Sequence, residues 1–333
     1  MEGIVLFNKP KNYTSYQVVE FFKKRTKKKV GHGGTLDPLA EGLLILGIGE
    51  YTKELNKFLK ESIKTYIAEI VLGARSTTYD REGKIYPNDE LINYPNIDRI
   101  KEVINSFIGE IEQIPPPFSA VKIKGKPAYL LARKGEKVEL KPRKVKIYDI
   151  KILEITLNNA NLETKQHETF INNNIRVDSC LNPREFVVLR IEVTCSSGTY
   201  IRSLANDIGE KLGCGGYLND LKRTRINEFK VEQALTFEDI ENNFLEFYAK
   251  VYGRVQGVGY RYFVKEKAQS LDISGYVKNL EDGTVEVLAQ GREENLQKLI
   301  EELKKGPYLA KVEKIDIIFR KPLEIFRNFE IKK

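Results

Sequence analysis

The chain has 333 residues, of which 41% are hydrophobic and 31% are charged, and its formal net charge is +8. This length suggests two domains of roughly 150 residues each, and the composition is that of a folded protein rather than a disordered one. The longest apolar run, Leu43 to Ile48, is far shorter than the ~20 residues of a membrane-spanning helix, and Met1 to Pro10 lacks the features of a signal peptide. We therefore expect a cytoplasmic protein with no membrane partner.

Cysteine and histidine are scarce in this sequence. Cys180, Cys195 and Cys214 form no close pairs, which favours a reducing compartment over a disulfide framework. With His32 and His167 as its histidines, the chain shows no conventional zinc motif. The basic excess favours an anionic partner, and it lies mainly in residues 1–240, because residues 241–333 hold 17 basic and 15 acidic side chains.

The N-terminal part predicts a mixture of strands and helices. Apolar periodicity gives the predicted elements in chain order as strand 64–72, helix 97–108, strand 145–155, strand 186–194 and helix 200–212. The asparagine-rich residues 157–184 lie between two of these strands, and we interpret them as an insertion that joins paired strands. His167 falls within this insertion and is expected to be an exposed bystander.

The pattern changes in the C-terminal part, after residues 236–247, which we interpret as a short acidic connector. The predicted elements are strand 248–254, helix 260–270, strands 273–279 and 283–290, helix 292–304 and one or two final strands. This βαββαβ order is the ferredoxin-like arrangement. The sequence therefore predicts an α+β protein, with a mixed α/β domain over residues 1–240 followed by a ferredoxin-like domain over residues 246–333.

A glycine-rich loop that carries Asp37 is the most unusual feature of the N-terminal part. Three glycines lie between positions 31 and 34, and Pro38 disfavours a helical conformation at Asp37. Covalent and acid–base chemistry both need a carboxylate on such a rigid loop, although an aspartate that only closes a turn has the same pattern. Just upstream, the basic run at residues 23–29 holds six basic side chains, which either form a solvated surface or bind phosphates.

The sequence GHGGTLDPLAEG at residues 31–42 resembles the catalytic motif of the TruB family of tRNA pseudouridine synthases. Further matches follow in family order over roughly residues 1–240: NKPxxxTS at 8–15, KTY at 64–66, PPPFSAVK at 115–122, SGTYIRSL at 197–204 and LxxLKRT at 218–224. The resemblance implies isomerisation of uridine to pseudouridine in tRNA, with position 55 of the T-loop as the expected target. Family members commonly carry a small C-terminal RNA-binding domain called PUA, and no resemblance to it is found here.

The same resemblance implies roles for individual residues. Asp37 matches the carboxylate that adds to the base or the sugar, and Arg202 matches the cation that keeps it ionised. Tyr66 matches the aromatic ring that holds the flipped base. The substrate-binding residues implied in this way are His32, Tyr66, Tyr200, Arg202 and Leu221. No cofactor is expected, because the reaction is an internal rearrangement.

The segment Gly253–Arg261, which we name the phosphate cradle, has the sequence GRVQGVGYR between a predicted strand and a predicted helix. Such glycines free several N–H groups to face one anion, although a plain glycine-rich turn has the same pattern. The cradle and the sequence GYVKNLEDGTVE at 275–286 resemble the two signatures of acylphosphatases. This resemblance implies that Arg261 binds the phosphoryl group and that Asn279 positions the water that hydrolyses a small acyl phosphate, without a metal.

Three interpretations follow. The first is a bifunctional fusion of a pseudouridine synthase with an acylphosphatase. In the second, the C-terminal domain is a non-catalytic RNA- or phosphate-binding module in place of PUA, and its near-neutral charge argues against this. In the third, the chain is the catalytic subunit of a guide-RNA ribonucleoprotein, and the missing RNA-binding tail argues against it. We expect the chain to act as a monomer.

Overall fold

A computed structural model describes residues 1–56, 61–88, 95–119, 121–123, 125–132, 140–159, 168–170 and 185–333. The helices are α1 (Ser15–Thr26), α2 (Ile97–Asn105), α3 (Ala128–Ala132), α4 (Ile201–Leu212), α5 (Phe237–Asn242), α6 (Tyr260–Ser270) and α7 (Glu293–Lys305). The strands are β1 (Gly3–Lys9), β2 (Val30–Gly33), β3 (Glu41–Ile48), β4 (Ile63–Leu72), β5 (Ala74–Ser76), β6 (Ile85–Pro87), β7 (Gly109–Gln113), β8 (Lys122–Ile123), β9 (Lys126–Pro127), β10 (Arg143–Asn159), β11 (Glu168–Phe170), β12 (Glu185–Ser196), β13 (Gly216–Ile226), β14 (Phe229–Lys230), β15 (Phe244–Arg254), β16 (Ser274–Asn279), β17 (Val285–Arg292), β18 (Lys311–Arg320) and β19 (Phe329–Ile331).

The chain divides into two compact units, and the first of them joins distant parts of the sequence. Unit 1 consists of residues 1–60 and 228–333, and unit 2 consists of residues 61–227. Together they have the mixed strand and helix content of an α+β protein, so the predicted fold class is confirmed. Among the helices within the described residues, none is long and apolar enough to span a membrane.

The sheet of unit 1 contains both N-terminal and C-terminal strands. Its order is β2-β3-β1-β18-β15-β17-β16-β19, and β1 runs parallel to β18 through the pairs Ile4–Ile318 and Val5–Phe319. One hydrophobic core extends over both parts of the chain and includes the fully buried rings of Phe7, Phe22 and Phe247. Residues 1–48 and the C-terminal strands are therefore parts of a single core.

The C-terminal part of unit 1 has the predicted βαββαβ order, in the elements β15-α6-β16-β17-α7-β18. Its sheet order, β18-β15-β17-β16, is the ferredoxin-like arrangement. Helix α7 illustrates why the prediction succeeds: Leu296, Leu299, Ile300 and Leu303 recur at helical spacing, and all four are buried. The predicted ferredoxin-like fold is confirmed.

The predicted acidic connector at residues 236–247 is wrong. Helix α5 occupies half of it, because Thr236 and Asp239 form a capping box. The Thr236 hydroxyl accepts a hydrogen bond from the Asp239 N–H (3.2 Å), and the Asp239 carboxylate accepts one from the Thr236 N–H (2.8 Å). Strand β15 then begins at Phe244. Glu238 and Asp239 belong to the first turn of the helix, where the helix dipole favours negative charge.

Unit 2 is built on an antiparallel sheet of order β11-β10-β12-β4-β13, with β7 also paired to β10. Strands β10 and β12 pair as far as Asn159 and Glu185, so the insertion does join paired strands. Its short strand β11 pairs with β10; His167 lies outside the described residues. Helix α4 packs against β13, where Gly209 and Gly216 approach so closely that a Cβ on Gly209 would collide with the β13 backbone.

Candidate active sites

The Asp37 loop, residues 34–40 between β2 and β3, is held from one side by Lys9. The Lys9 side chain is fully buried at the end of β1, and its ammonium donates hydrogen bonds to the carbonyl oxygens of Pro10 (3.0 Å), Tyr13 (2.6 Å) and Pro38 (3.5 Å). A buried ammonium needs such oxygens, because burying it without partners costs several kcal/mol. The lysine of the NKPxxxTS motif thus fixes the residue that follows Asp37.

Ser15 holds the residue that precedes Asp37. Its buried hydroxyl accepts a hydrogen bond from the Leu36 N–H (2.9 Å) and donates one to the Leu36 carbonyl oxygen (3.1 Å). The Leu36 and Leu39 side chains are buried, and the Ala40 N–H donates to the Asp37 carbonyl oxygen (3.1 Å). Asp37 does lie in a turn, as one alternative proposed, and its half-buried carboxylate has both flanks fixed in advance of any substrate.

His32 lies on β2, opposite Leu46 of β3, and is half-buried. It belongs to unit 1 together with Asp37.

Two of the predicted substrate-binding residues share the buried face of the unit 2 sheet. Tyr66 of β4 pairs with Arg223 of β13, and the next pair on the same face is Ala68 with Leu221. Side chains two residues apart on a strand point to the same side, so Tyr66 and Leu221 face the same interior. Both side chains are buried.

Tyr200 and Arg202 lie at the start of α4 in the same unit. Tyr200 is the N-cap residue, and its backbone is held by the buried Gln113 side chain: the Tyr200 N–H donates to Gln113 Oε1 (2.8 Å), and Gln113 Nε2 donates to the Tyr200 carbonyl oxygen (3.0 Å). The Arg202 guanidinium is 6% exposed and donates to the carbonyl oxygens of Thr78 (3.4 Å) and Phe118 (3.0 Å).

Asp80 is a residue of this site that the sequence analysis missed. It is 3% exposed, and its Oδ2 lies 3.5 Å from Arg202 Nη1. The other carboxylate oxygen accepts hydrogen bonds from the Thr78 hydroxyl (2.5 Å) and the Glu82 N–H (3.0 Å). An aspartate in a polar turn resembles many surface turns, and its buried partner is remote in sequence, so no local pattern indicates the pair.

Two further buried cations lie on the same sheet face, and neither was predicted. Arg223, opposite Tyr66, is 1% exposed, and Lys64 lies two residues before Tyr66. Burial, with a contribution from the Arg223 charge, lowers the pKa of Lys64 to about 8. Cys195 of β12 pairs with Lys64 of β4, and burial raises the pKa of the Cys195 thiol to about 11. The thiol is therefore protonated at neutral pH.

The strand register of unit 1 brings the phosphate cradle and Asn279 to the same end of the sheet, where strands β15 and β16 both finish. Val251 of β15 and Asn279 of β16 both pair with Val285 of β17. Because β15 and β16 run in the same direction on either side of β17, the cradle leaves the sheet where Asn279 ends its strand. Within the cradle, Gly257 and Gly259 have φ of +74° and +78°, a conformation that favours glycine.

A glutamine side chain ties the cradle to the hairpin that carries Asn279. Gln256 Nε2 donates hydrogen bonds to the carbonyl oxygens of Leu280 and Thr284, each at 2.8 Å. Asn279 Oδ1 is buried, and within the described residues it has no hydrogen-bond donor. Arg261 is the second residue of α6 and is half-buried. A buried acceptor without a partner is rare in proteins, and it marks a position where a water or ligand group is expected.

Across the described ranges, no group of three or more His, Cys, Asp or Glu side chains could hold a metal ion.

Comparison with known proteins covers both parts of the chain. The TruB family pseudouridylate synthase N-terminal domain model matches residues 23–171, and the tRNA pseudouridylate synthase B C-terminal domain model matches residues 202–252. The tRNA pseudouridine synthase B of Aquifex aeolicus is 45% identical over 240 residues, which cover 72% of this chain and 73% of that protein. The one from Clostridium tetani is 41% identical over 249 residues, covering 74% and 75%. The chain belongs to the tRNA pseudouridine synthase B family.

The remainder of this tRNA pseudouridine synthase B family member matches a second family. The acylphosphatase model matches residues 247–331. The crystal structure of an acylphosphatase from Bacillus subtilis is 43% identical and covers 27% of this chain and 99% of that chain, with a TM-score of 0.26. The two family models confirm both resemblances noted in the sequence.

Proposed function

We propose that the chain isomerises uridine to pseudouridine in tRNA, with position 55 of the T-loop as its target. The observation that carries this proposal is the fixed position of Asp37, whose two neighbours in the chain are bound by Lys9 and Ser15. A family that acts on tRNA supplies the substrate class, because the relatives named above are tRNA pseudouridine synthases.

The reaction detaches the base from C1′ at N1 and reattaches it at C5. In this proposal Asp37 is the nucleophile that adds to the opened substrate and leaves again, so no atom of the enzyme is consumed. The hydrogen at C5 is released to solvent and N1 gains one, so the balance needs no cofactor. Tyr66 and Leu221 hold the extruded base, and Arg202 supplies positive charge; extruding the base costs a few kcal/mol.

Tritium release from tRNA that contains 5-tritiated uridine measures this activity. We expect Asp37→Asn to lower the rate by roughly a thousandfold or more, because loss of a nucleophile removes the covalent route. Asp98→Asn makes the same chemical change at an exposed position and should leave the rate unchanged. Full activity of Asp37→Asn would exclude the nucleophile role. A tRNA with cytidine at position 55 tests the target, and continued tritium release from it would exclude the T-loop site.

We further propose that the C-terminal part hydrolyses small acyl phosphates. The buried Asn279 Oδ1 beside the cradle, which has no donor among the residues that the structure describes, favours this second activity. The Asn279 oxygen accepts a hydrogen bond from the attacking water, and the cradle N–H groups and Arg261 bind the phosphoryl oxygens. A new O–P bond forms while the bond to the acyl oxygen breaks, which yields a carboxylate, inorganic phosphate and a released proton. A mixed anhydride is already activated, so orientation and an anion site suffice.

Hydrolysis of acetyl phosphate tests the second proposal. We expect Arg261→Ala and Asn279→Ala each to lower the rate by about 100- to 1,000-fold, whereas Asp37→Asn and the exposed control Arg292→Ala retain it. Unchanged turnover in Arg261→Ala would contradict the assignment. If the wild-type chain hydrolyses nothing and Arg261→Ala weakens tRNA binding, the alternative of a non-catalytic binding module is favoured instead.

A further inference from the structure

The six basic side chains of the basic run are not equivalent in the structure. Arg25 donates two hydrogen bonds to Glu293 Oε2, at 2.8 and 3.2 Å, and Lys28 Nζ lies 2.6 Å from Glu2 Oε2. Burial alone would raise the pKa of the Glu293 carboxyl group, but the hydrogen bond and charge of Arg25 and the N-terminal ammonium outweigh it, so the net result is a lowered pKa. Arg25 and Lys28 are thus neutralised within unit 1, and each bond joins parts of the chain that belong to the same core.

The other four basic side chains are Lys23, Lys24, Lys27 and Lys29. All four are exposed, and in the part of the chain that the structure describes no carboxylate forms an ion pair with any of them. Elsewhere in unit 1, other exposed lysines are paired, as Lys314 is with Asp316 at 2.6 Å. Four unneutralised like charges within seven residues repel one another, so this surface favours a polyanion.

Helical spacing adds an aromatic ring to this surface. Val18, Val19 and Phe22 are the buried side of α1, whereas Tyr16 and Lys23 lie on the exposed side, two turns apart. Tyr16 is 62% exposed, and Lys23 Nζ lies 5.9 Å from the centre of its ring. An exposed aromatic ring among lysines is the combination with which proteins bind single-stranded nucleic acid, because bases stack on the ring and phosphates meet the cations.

Helix α1, which carries Tyr16 and Lys23, begins next to the Asp37 loop. Ser15, the first residue of α1, forms two hydrogen bonds with Leu36, the residue before Asp37. The helix has 12 residues and is therefore about 18 Å long. A strand that passes the Asp37 loop can follow α1 towards the lysines at its far end.

We propose that the exposed side of α1, together with residues 27–29, binds the sugar–phosphate backbone of the RNA substrate. Lys23, Lys24, Lys27 and Lys29 contact phosphates, and Tyr16 stacks on an unpaired base. This inference rests on the proposed function for its ligand, tRNA, and adds the surface of unit 1 that binds it. This binding surface lies in the N-terminal part of the chain and does not require a PUA domain.

The test compares the full-length chain in two charge variants. K23Q/K24Q/K27Q/K29Q removes the four exposed charges, and R25Q/K28Q removes the two neutralised ones. The dissociation constant for unmodified tRNA is measured from 50 to 300 mM salt. Each lost phosphate contact lowers the slope of log affinity against log salt by about 0.7 to 0.9, so we expect the fourfold variant to lose a slope of about 3 and R25Q/K28Q less than about 0.5.

Tyr16 variants separate stacking from charge. We expect Tyr16→Ala to weaken tRNA binding about five- to hundredfold without changing the salt slope, and Tyr16→Phe to retain the affinity. The rate at saturating tRNA should stay unchanged in every variant, because none of these residues belongs to the proposed catalytic set. Thermal melting of each variant checks that it is folded.

Two results would overturn the inference. One is a fourfold lysine variant whose tRNA affinity and salt slope equal those of the wild type. The other is an equal loss of affinity in R25Q/K28Q. If the wild-type chain binds tRNA but forms no pseudouridine, the proposed function fails. The salt dependence of tRNA binding then still shows whether the four exposed lysines contact phosphates. If the fourfold variant loses binding to poly-glutamate and keeps binding to tRNA, the surface fits an acidic protein instead and the RNA assignment is wrong.

Discussion

The phosphate cradle and Asn279 come from one stretch of chain, residues 253–279, whereas the residues proposed for pseudouridine formation are spread from His32 to Leu221. The first set lies wholly in unit 1. The second set is divided, since His32 and Asp37 belong to unit 1 and the remaining residues to unit 2. The first set depends on the register of strands within one unit, whereas the residues of the second set depend on the folding of each of the two units.

The comparison also shows that Asp37 and the cradle depend on a common core. Strand β1, which ends in Lys9, pairs with β18 of the ferredoxin-like part. Gly3 permits this close approach, because at its φ of +154° a Cβ would come within 3.0 Å of the Ile317 carbonyl oxygen. The Tyr51 hydroxyl donates to the Ile315 carbonyl oxygen of the same strand (2.7 Å). In this chain the acylphosphatase-like part therefore completes the sheet that positions Asp37.

Deletion of residues 246–333 is expected to have the largest effect. It removes β18, the parallel partner of β1, together with more than half of the core that contains Phe7 and Phe22. We expect the remainder of unit 1 to lose its fold, because an exposed strand edge and core cannot be stable in water. Soluble yield and tritium release should both collapse, whereas full-length Arg261→Ala retains both. A truncated chain with the wild-type rate would show that the shared core is dispensable.

The sequence predicts more of the fold than of the candidate sites. The period of Leu296, Leu299, Ile300 and Leu303 is enough to locate a helix, and the βαββαβ order follows from such periods. The pairing of β1 with β18 is not visible in either strand's sequence, because register between remote strands is decided by the packing of the complete core. The acidic residues before Phe244 were misassigned because a capping box and a polar linker have similar compositions.

The candidate sites show the same limit. Motif resemblance leads to Asp37 and Arg202, but the physical roles of Lys9 and Ser15 emerge only from their hydrogen bonds to the Asp37 loop. Asp80 was missed because its buried ion pair with Arg202 joins two distant segments. Such pairs follow from three-dimensional packing and leave no periodic signal in the sequence.

Asp80→Ala tests whether the residues proposed for pseudouridine formation in unit 2 can be disturbed without affecting the phosphate cradle in unit 1. It removes the carboxylate that lies 3.5 Å from the buried Arg202 guanidinium, and breaking a buried ion pair by removing one partner costs about 3–5 kcal/mol. We expect the free energy of unfolding of unit 2 to fall by about that amount in urea titrations, and tritium release to fall with it. Acetyl phosphate hydrolysis, whose residues lie in unit 1, should be retained. An equal loss of both activities would mean that the two units do not unfold separately.

Lys64→Met is expected to change the pH dependence of stability. The pKa of Lys64 is lowered from 10.5 to about 8 in the folded chain, so between these values the unfolded chain binds more protons. The free energy of unfolding should therefore rise with pH from about 8 to 10.5, by on the order of 3 kcal/mol. Lys64→Met should lack this rise and be the more stable protein at pH 7. Parallel pH profiles for Lys64→Met and wild type would show that the amine is not desolvated.

Ser15→Ala should have the smallest effect and the most selective one. It removes the hydroxyl that binds both the N–H and the carbonyl group of Leu36, and each buried group left without a partner costs about 1–3 kcal/mol. Most of that free energy is lost locally, in the loop that positions Asp37. We expect tritium release to fall about tenfold at saturating tRNA, with acetyl phosphate hydrolysis unchanged. Ser270→Ala, which removes an exposed hydroxyl bound to the Lys267 carbonyl oxygen, is the matched control. If Ser15→Ala slowed both reactions equally, its effect would act through the common core of unit 1 rather than through the Asp37 loop.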